Sequence, residues 1–216
     1  MMIPEKDRQK IRERFSAMTE PVVLRFFESS IDCPTCPQIK DLLQEVADLS
    51  DKLTLEVFNL YTDEDKAKEI GVDKAPTLAI LGGSGQDYGI RFYGAPAGYE
   101  FAAFLEAILM ISRGDSGLKA ETKTKLATID QDVTLNVFVT PTCPYCPSAV
   151  HLAHQFAFEN AHIRGHMIEA TEFPDWANRF DVYGVPKTVI NDLDSIEGAV
   201  PEAVLLDQVL AVATKA

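Results

Sequence analysis

Residues 133–146 read Val133-Thr134-Leu135-Asn136-Val137-Phe138-Val139-Thr140-Pro141-Thr142-Cys143-Pro144-Tyr145-Cys146. The first half is an apolar, β-branched and aromatic run, the pattern of a buried strand. Two cysteines separated by two residues follow, and beyond them 146–160 reads as a helix. The same order occurs upstream. Val22-Val23-Leu24-Arg25-Phe26-Phe27 is a second buried strand, and Cys33-Pro34-Thr35-Cys36 opens a stretch with Ile39, Leu42, Leu43 and Val46 at helical spacing. The two motifs start 110 residues apart, and so do Pro76 of Lys74-Ala75-Pro76-Thr77 and Pro186 of Val185-Pro186-Lys187-Thr188. Agreement of two distant landmarks at one offset indicates an internal duplication.

Working outward, the first repeat reads as helix 5–17, strand 22–28, helix 35–49, strand 53–60, a short helix 64–70 stopped by Gly71, strands 77–82 and 88–93, and helix 99–112. The second reads as helix 117–127, strand 133–139, helix 146–160, strand 162–169, helix 173–181, strands 187–191 and 194–198, and helix 202–214. Ser112-Arg113-Gly114-Asp115-Ser116-Gly117 is a turn-rich linker. The expected architecture is α/β, with domains 1–114 and 115–216. Each has a β-α-β crossover of right hand followed by a hairpin, hence a mixed central sheet flanked by helices. Gly82-Gly83-Ser84-Gly85 lacks the Lys and helix of a phosphate loop and reads as a hairpin turn.

Composition narrows the function. The 216 residues are 46% hydrophobic and 25% charged, a globular balance. The 20 basic and 33 acidic side chains leave a net charge of −13, spread over both halves. Such a surface repels phosphate backbones, so nucleic acid is not expected as a partner. No apolar run approaches a membrane span, and Met1–Phe15 has no apolar signal core, so the expected location is cytoplasmic.

All four cysteines belong to the two motifs, so none is left for a structural staple. A cysteine at a helix start faces unpaired N–H groups and a partial positive charge, which stabilise a thiolate. Cys33 and Cys143 are therefore expected at N-caps, exposed, as attacking thiolates. Cys36 and Cys146 are expected in the first turn as resolving thiols. Pro34 and Pro144 fit a first helical position, and Pro37 and Pro147 stiffen the first turn. Two C-x-x-C pairs are also a zinc pattern, but these lie in separate predicted domains at apolar strand-to-helix junctions. No metal site is expected.

Cys-Pro-Tyr-Cys is similar to a glutaredoxin active site, and Val-Pro-Lys-Thr looks like the cis-proline loop of thioredoxin-fold proteins. Two such units in a chain of this length resemble the protein disulfide oxidoreductases, or glutaredoxin-like proteins, of thermophilic archaea and bacteria. The resemblance spans essentially the whole chain. It implies two tandem thioredoxin-like folds joined through an extended sheet. It implies reduction, formation or isomerisation of disulfides in protein substrates by Cys33, Cys36, Cys143 and Cys146, with a thioredoxin reductase-like flavoprotein as electron donor. By the same resemblance Pro76 and Pro186 are the cis-prolines, and the backbones of Ala75 and Val185 pair with an extended substrate. Pro34, Thr35, Pro144 and Tyr145 join them as substrate contacts. No cofactor beyond the redox disulfides is expected.

The sequence also departs from these relatives. Neither motif is Trp-Cys-Gly-Pro-Cys, and the second strand has apolar Leu135, Val137 and Val139 where thioredoxins bury an acid. Glu28 in the first strand is a candidate proton relay for Cys36, or else a solvated strand end. His151 and His154 share a helix face without further ligands, so a surface or interhelical role is expected. Trp176 is expected to anchor a short helix. Two other functions stay open. One is an electron shuttle between a flavoprotein reductase and a peroxidase, like the tandem domain of alkyl hydroperoxide reductase flavoproteins. The other is a client-binding chaperone module with secondary thiols.

Overall fold

A computed structural model describes residues 2–214. The first unit comprises α1 (Glu5–Phe15), β1 (Val22–Glu28), α2 (Cys36–Ala47), β2 (Leu53–Asn59), α3 (Glu64–Glu69), β3 (Thr77–Gly82), β4 (Asp87–Tyr93) and α4 (Glu100–Arg113). The second comprises α5 (Ala120–Leu126), β5 (Val133–Val139), α6 (Cys146–Glu159), β6 (Ile163–Glu169), α7 (Pro174–Arg179), β7 (Lys187–Ile190), β8 (Asp194–Glu197) and α8 (Glu202–Ala213). The strands form one mixed sheet in the order β2-β1-β3-β4-β6-β5-β7-β8. No helix among the described residues is long and apolar enough to cross a membrane.

Alternation along the strands explains the layers. Leu24 and Phe26 of β1 face one side, where α1, α2, α4, α5, α6 and α8 pack into a single apolar cluster running through both units. Phe27 points to the other side, where α3 covers a separate cluster with Ala67, Ile70, Ala79 and Leu81. The second unit repeats this, with Phe138, Ile168 and Val189 covered by α7. One face of the sheet is thus continuous across the duplication, and the other is divided.

The units join where β4 pairs with β6 in parallel, Ile90 opposite Gly165 and Tyr93 opposite Ile168. Helix α6 lies directly on this seam. A Cβ on Gly165 would come within 2.6 Å of the Ala153 carbonyl oxygen, so only glycine lets the helix approach that closely. His154 of α6 is fully buried against the edge of Phe92, with ring centroids 4.8 Å apart. Burial and the neighbouring His151 hold its imidazole neutral, with a pKa lowered to about 3. Trp176 packs edge-on against Tyr93 at 5.1 Å and under the Lys74 ammonium at 5.0 Å, so it bridges the units as well as anchoring α7.

Two helix starts depart from the sequence expectation. Helix α6 starts at Cys146 as expected, but α2 starts at Cys36, one residue late, and neither Cys33 nor Cys143 is an N-cap, because each motif is itself a turn. The Cys36 N–H donates to the Cys33 carbonyl at 3.3 Å. Thr35 and Tyr145 are the N-caps, and Pro34 and Pro144 lie outside the helices. Helix α5 begins three residues late. Asp115 and Ser116 accept the Gly117 and Leu118 N–H groups, which holds the linker non-helical. The Gly82–Gly85 segment is a hairpin turn, closed by the Gly82 and Gly85 N–H groups.

Candidate active site

Each C-x-x-C motif lies where a strand end, a helix start and a proline loop converge. In the first unit Thr77 pairs with Phe27, so Ala75 and Pro76 sit at the end of β1, where the chain leaves for Cys33. In the second unit Lys187 pairs with Phe138, so Val185 and Pro186 stand at the end of β5. The Ala75–Pro76 and Val185–Pro186 peptide bonds are both cis. Each proline carbonyl accepts an N–H from the glycine that ends the hairpin, Gly94 at 3.0 Å and Gly198 at 2.8 Å.

Both cysteine pairs are closed as disulfides, with Cα separations of 5.4 Å for Cys33–Cys36 and 5.5 Å for Cys143–Cys146. Cys36 and Cys146 are sealed beneath their motifs, and Cys33 is half-buried. Cys143 corrects the expectation of an exposed first cysteine: it is only 8% exposed. The cause is the proline loop, whose Val185 carbonyl oxygen lies 3.7 Å from the Cys143 sulfur. The Cys146 N–H also points at that sulfur, at 3.1 Å. An N–H aimed at sulfur from the first residue of a helix stabilises a thiolate there.

Around these cores the motif residues diverge. Tyr145 is 71% exposed, and Tyr183, two residues before Val185, is 92% exposed, so an aromatic surface flanks Cys143. Thr35 instead donates its hydroxyl to Glu172 of the second unit at 2.5 Å. Glu28 is neither fully buried nor free. Both its oxygens accept from Lys40, at 3.2 and 3.3 Å, one helical turn beyond Cys36.

Sequence reasoning passed over Glu100. It opens α4, is 1% exposed, and neither carboxyl oxygen has a hydrogen-bond partner. Burial pushes its pKa up to about 8. The Tyr99 N–H donates to the Pro141 carbonyl at 3.0 Å, two residues before Cys143, and α4 packs along α6. The lone acid therefore lies at the end of the α4–α6 wall where the second motif sits. A signal was present: Glu100, Ala103, Phe104, Ala107 and Ile108 fall on one helical stripe, so the acid occupies a core position. Among the described residues, no three His, Cys, Asp or Glu side chains group as metal ligands.

Known proteins agree with this layout. Residues 133–211 match the thioredoxin domain family. The crystal structure of a protein disulfide oxidoreductase from Aeropyrum pernix is 35% identical, covers all of this chain and 95% of its own, and superposes with a TM-score of 0.93. An alkylhydroperoxide reductase structure (AhpF) from Enterococcus faecalis is 26% identical, covering 97% of this chain and 100% of its own, with a TM-score of 0.89. The corresponding alkyl hydroperoxide reductase protein of Escherichia coli (strain K12) is 25% identical over 197 residues, 91% of this chain. This chain spans 27–35% of the length of such curated relatives. Two tandem thioredoxin-like folds, a disulfide in each, and end-to-end similarity to the Aeropyrum protein lead to one conclusion: the chain belongs to the protein disulfide oxidoreductases, thiol–disulfide oxidoreductases of the thioredoxin fold.

Proposed function

We propose that the second motif is the client-facing centre, and that it reduces protein disulfides with electrons from a flavoprotein reductase. The observation that carries this reading is the Cys146 N–H on the Cys143 sulfur at 3.1 Å, above a sealed Cys146. In the reduced enzyme the Cys143 thiolate attacks a client disulfide. A Cys143–client bond forms, and the other client sulfur leaves as a thiolate and takes a proton. The Cys146 thiolate then attacks the Cys143 sulfur, which closes the enzyme disulfide and releases the second client thiol. Two electrons pass from the dithiol to the client. Glu100, as the carboxylate, takes the Cys146 proton and becomes a carboxylic acid that passes it to the departing client thiolate; its raised pKa of about 8 is close to that of a thiol.

In this reading Tyr145, Tyr183 and the Val185 backbone receive the client as an extended segment. The Cys33–Cys36 pair, with Pro34, Thr35, Ala75 and Pro76 around it, relays electrons or forms and isomerises disulfides. The Glu28–Lys40 pair is its proton relay. The modules are residues 1–114 and 115–216, and the compartment is the cytosol.

Insulin reduction by dithiothreitol tests the assignment. The Cys143→Ser, Cys146→Ser double variant falls to background, whereas Cys33→Ser with Cys36→Ser keeps most of the activity. The reverse pattern overturns the assignment. A second reading, electron delivery to a dedicated peroxidase, draws on the likeness to the Enterococcus alkylhydroperoxide reductase. It is favoured if wild type ignores insulin but links a flavoprotein reductase to a peroxidase. Client binding that survives replacement of all four cysteines would instead point to a chaperone module.

A further inference from the structure

The first motif is held by a side chain from the other unit. Glu172 follows β6, and its two oxygens accept from different parts of the first unit. One takes the Thr35 hydroxyl at 2.5 Å, inside the C-x-x-C turn, and the other takes the Ala95 N–H at 2.6 Å. Glu172 is itself fixed. Its N–H donates at 2.8 Å to Glu169, a 2% exposed carboxylate that also accepts the Thr171 hydroxyl at 2.6 Å. The first unit is shaped to admit this loop. At Gly94, φ is +95° and a Cβ would come within 2.7 Å of the Glu169 Cβ and 2.8 Å of a Glu172 oxygen. Gly198, which occupies the same place after β8, has nothing within 4 Å of such an atom. Among the described residues, no side chain of the first unit hydrogen-bonds within the second motif, where Tyr145 is exposed.

We propose that Glu172 is a positioning residue for the Cys33–Cys36 couple, setting its potential below the value the motif would otherwise have. This deepens the proposed function, because it presumes that the first pair exchanges disulfides. The physical basis is charge. Reduction converts the disulfide to a dithiol whose attacking sulfur is a thiolate, and a carboxylate bonded within the same turn opposes that second negative charge. The charged pairs at this end of the unit, Glu28 with Lys40 and Asp73 with Lys74, largely compensate themselves. The disulfide is therefore favoured and the couple is the stronger reductant.

The test is equilibration of the full chain with glutathione, in which protein disulfide plus two glutathione thiols gives protein dithiol plus glutathione disulfide. The first couple is read by alkylation in the Cys143→Ser, Cys146→Ser background, and the second in the Cys33→Ser, Cys36→Ser background. Glu172→Gln keeps the shape and removes the charge. It is expected to shift the first couple about tenfold towards dithiol, ~30 mV, and to leave the second unchanged. Thr35→Val removes the hydroxyl but keeps the carboxylate on Ala95, so its shift should be smaller. The proposal is overturned if Glu172→Gln moves neither couple, moves both alike, or moves the first towards disulfide. It is also overturned if Thr35→Val matches or exceeds it. Absence of exchange at the first pair in the otherwise unaltered chain would instead defeat the redox role of that pair.

Discussion

The two motifs share their spacing, their leading proline and a cis-proline loop, yet their surroundings differ. The first has a half-buried first cysteine, Cys33, and a motif hydroxyl tied to Glu172. The second has a sulfur that accepts a backbone N–H, a buried acid from the other unit at its flank, and two exposed tyrosines. The cause is the order of units along the sheet. The units follow one another in the same sense, so the strand ending the first, β4, meets β6, the second unit's counterpart of β2. Each site therefore has a neighbour on only one flank, and on opposite flanks. Duplication followed by serial docking produces two different sites before any motif residue has changed.

The seam is the place to break this comparison most forcefully. Arg91 of β4 is 2% exposed and is held by Asp87 at 2.6 Å and by the Ile70 carbonyl at 2.8 Å. Its counterpart by hairpin register, Ser195 of β8, lies on an outer strand. Asp87→Asn leaves a buried guanidinium without its counter-charge and should cost about 3 kcal/mol in urea unfolding. Ser195→Ala should cost almost nothing.

Glu100 sharpens the chemical side. Glu100→Gln should slow resolution of a Cys143–client mixed disulfide by roughly 100-fold, read by quenching and mass shift, with the initial attack much less affected. The same variant has a pH signature in thermal unfolding. The folded Glu100 carboxyl titrates at about 8, against an ordinary 4.5. Between those values the folded chain holds a proton that the unfolded chain has lost, so stability falls as pH rises through this window. Glu100→Gln should flatten that decline. His154 has the opposite sign. Its folded pKa is lowered to about 3, so its contribution is complete above the ordinary value of 6.5 and is lost as pH falls towards 3.

The smallest expected effect concerns the client surface. Tyr183→Ala removes a 92% exposed ring and should raise the apparent KM for an unfolded disulfide client about threefold, with kcat kept. Ile31→Ala, beside the first motif, should leave that KM unchanged. Equal effects would erase the distinction between the sites.

Much of this was legible in the sequence. Buried strands leading into C-x-x-C turns announce themselves by apolar runs, and the shared 110-residue offset exposes the duplication. Most of what escaped depends on contacts between units. Nothing in Asp87–Tyr93 says that its free side will pair with β6, because a hairpin strand reads alike at an edge and in mid-sheet. His154 reads as a surface or interhelical residue, and only the closeness of α6 to the sheet at Gly165 makes it fully buried, against Phe92 of β4. Glu172 looks like one more surface acid until the loop after β6 is docked on Gly94. Cys143 reads as exposed because the reach of the Val185 carbonyl is a tertiary fact. Glu100 was readable in principle, as an acid in register with an apolar stripe.

The same-sense succession of units has a consequence for assembly. Two copies related by rotation would bury matching surfaces and close. Two copies related by a step along a sheet do not, because each added unit covers one edge and offers an equivalent one. The outer face of β8 is the counterpart of the strand side that β4 gives to β6, and the outer face of β2 is the counterpart of the side that receives it. Geometry alone would let the ribbon grow by head-to-tail contact between chains. What opposes growth is the character of its ends: β8 has only four residues and carries Asp194 and Glu197, β2 carries Glu56, and the chain as a whole has a net charge of −13.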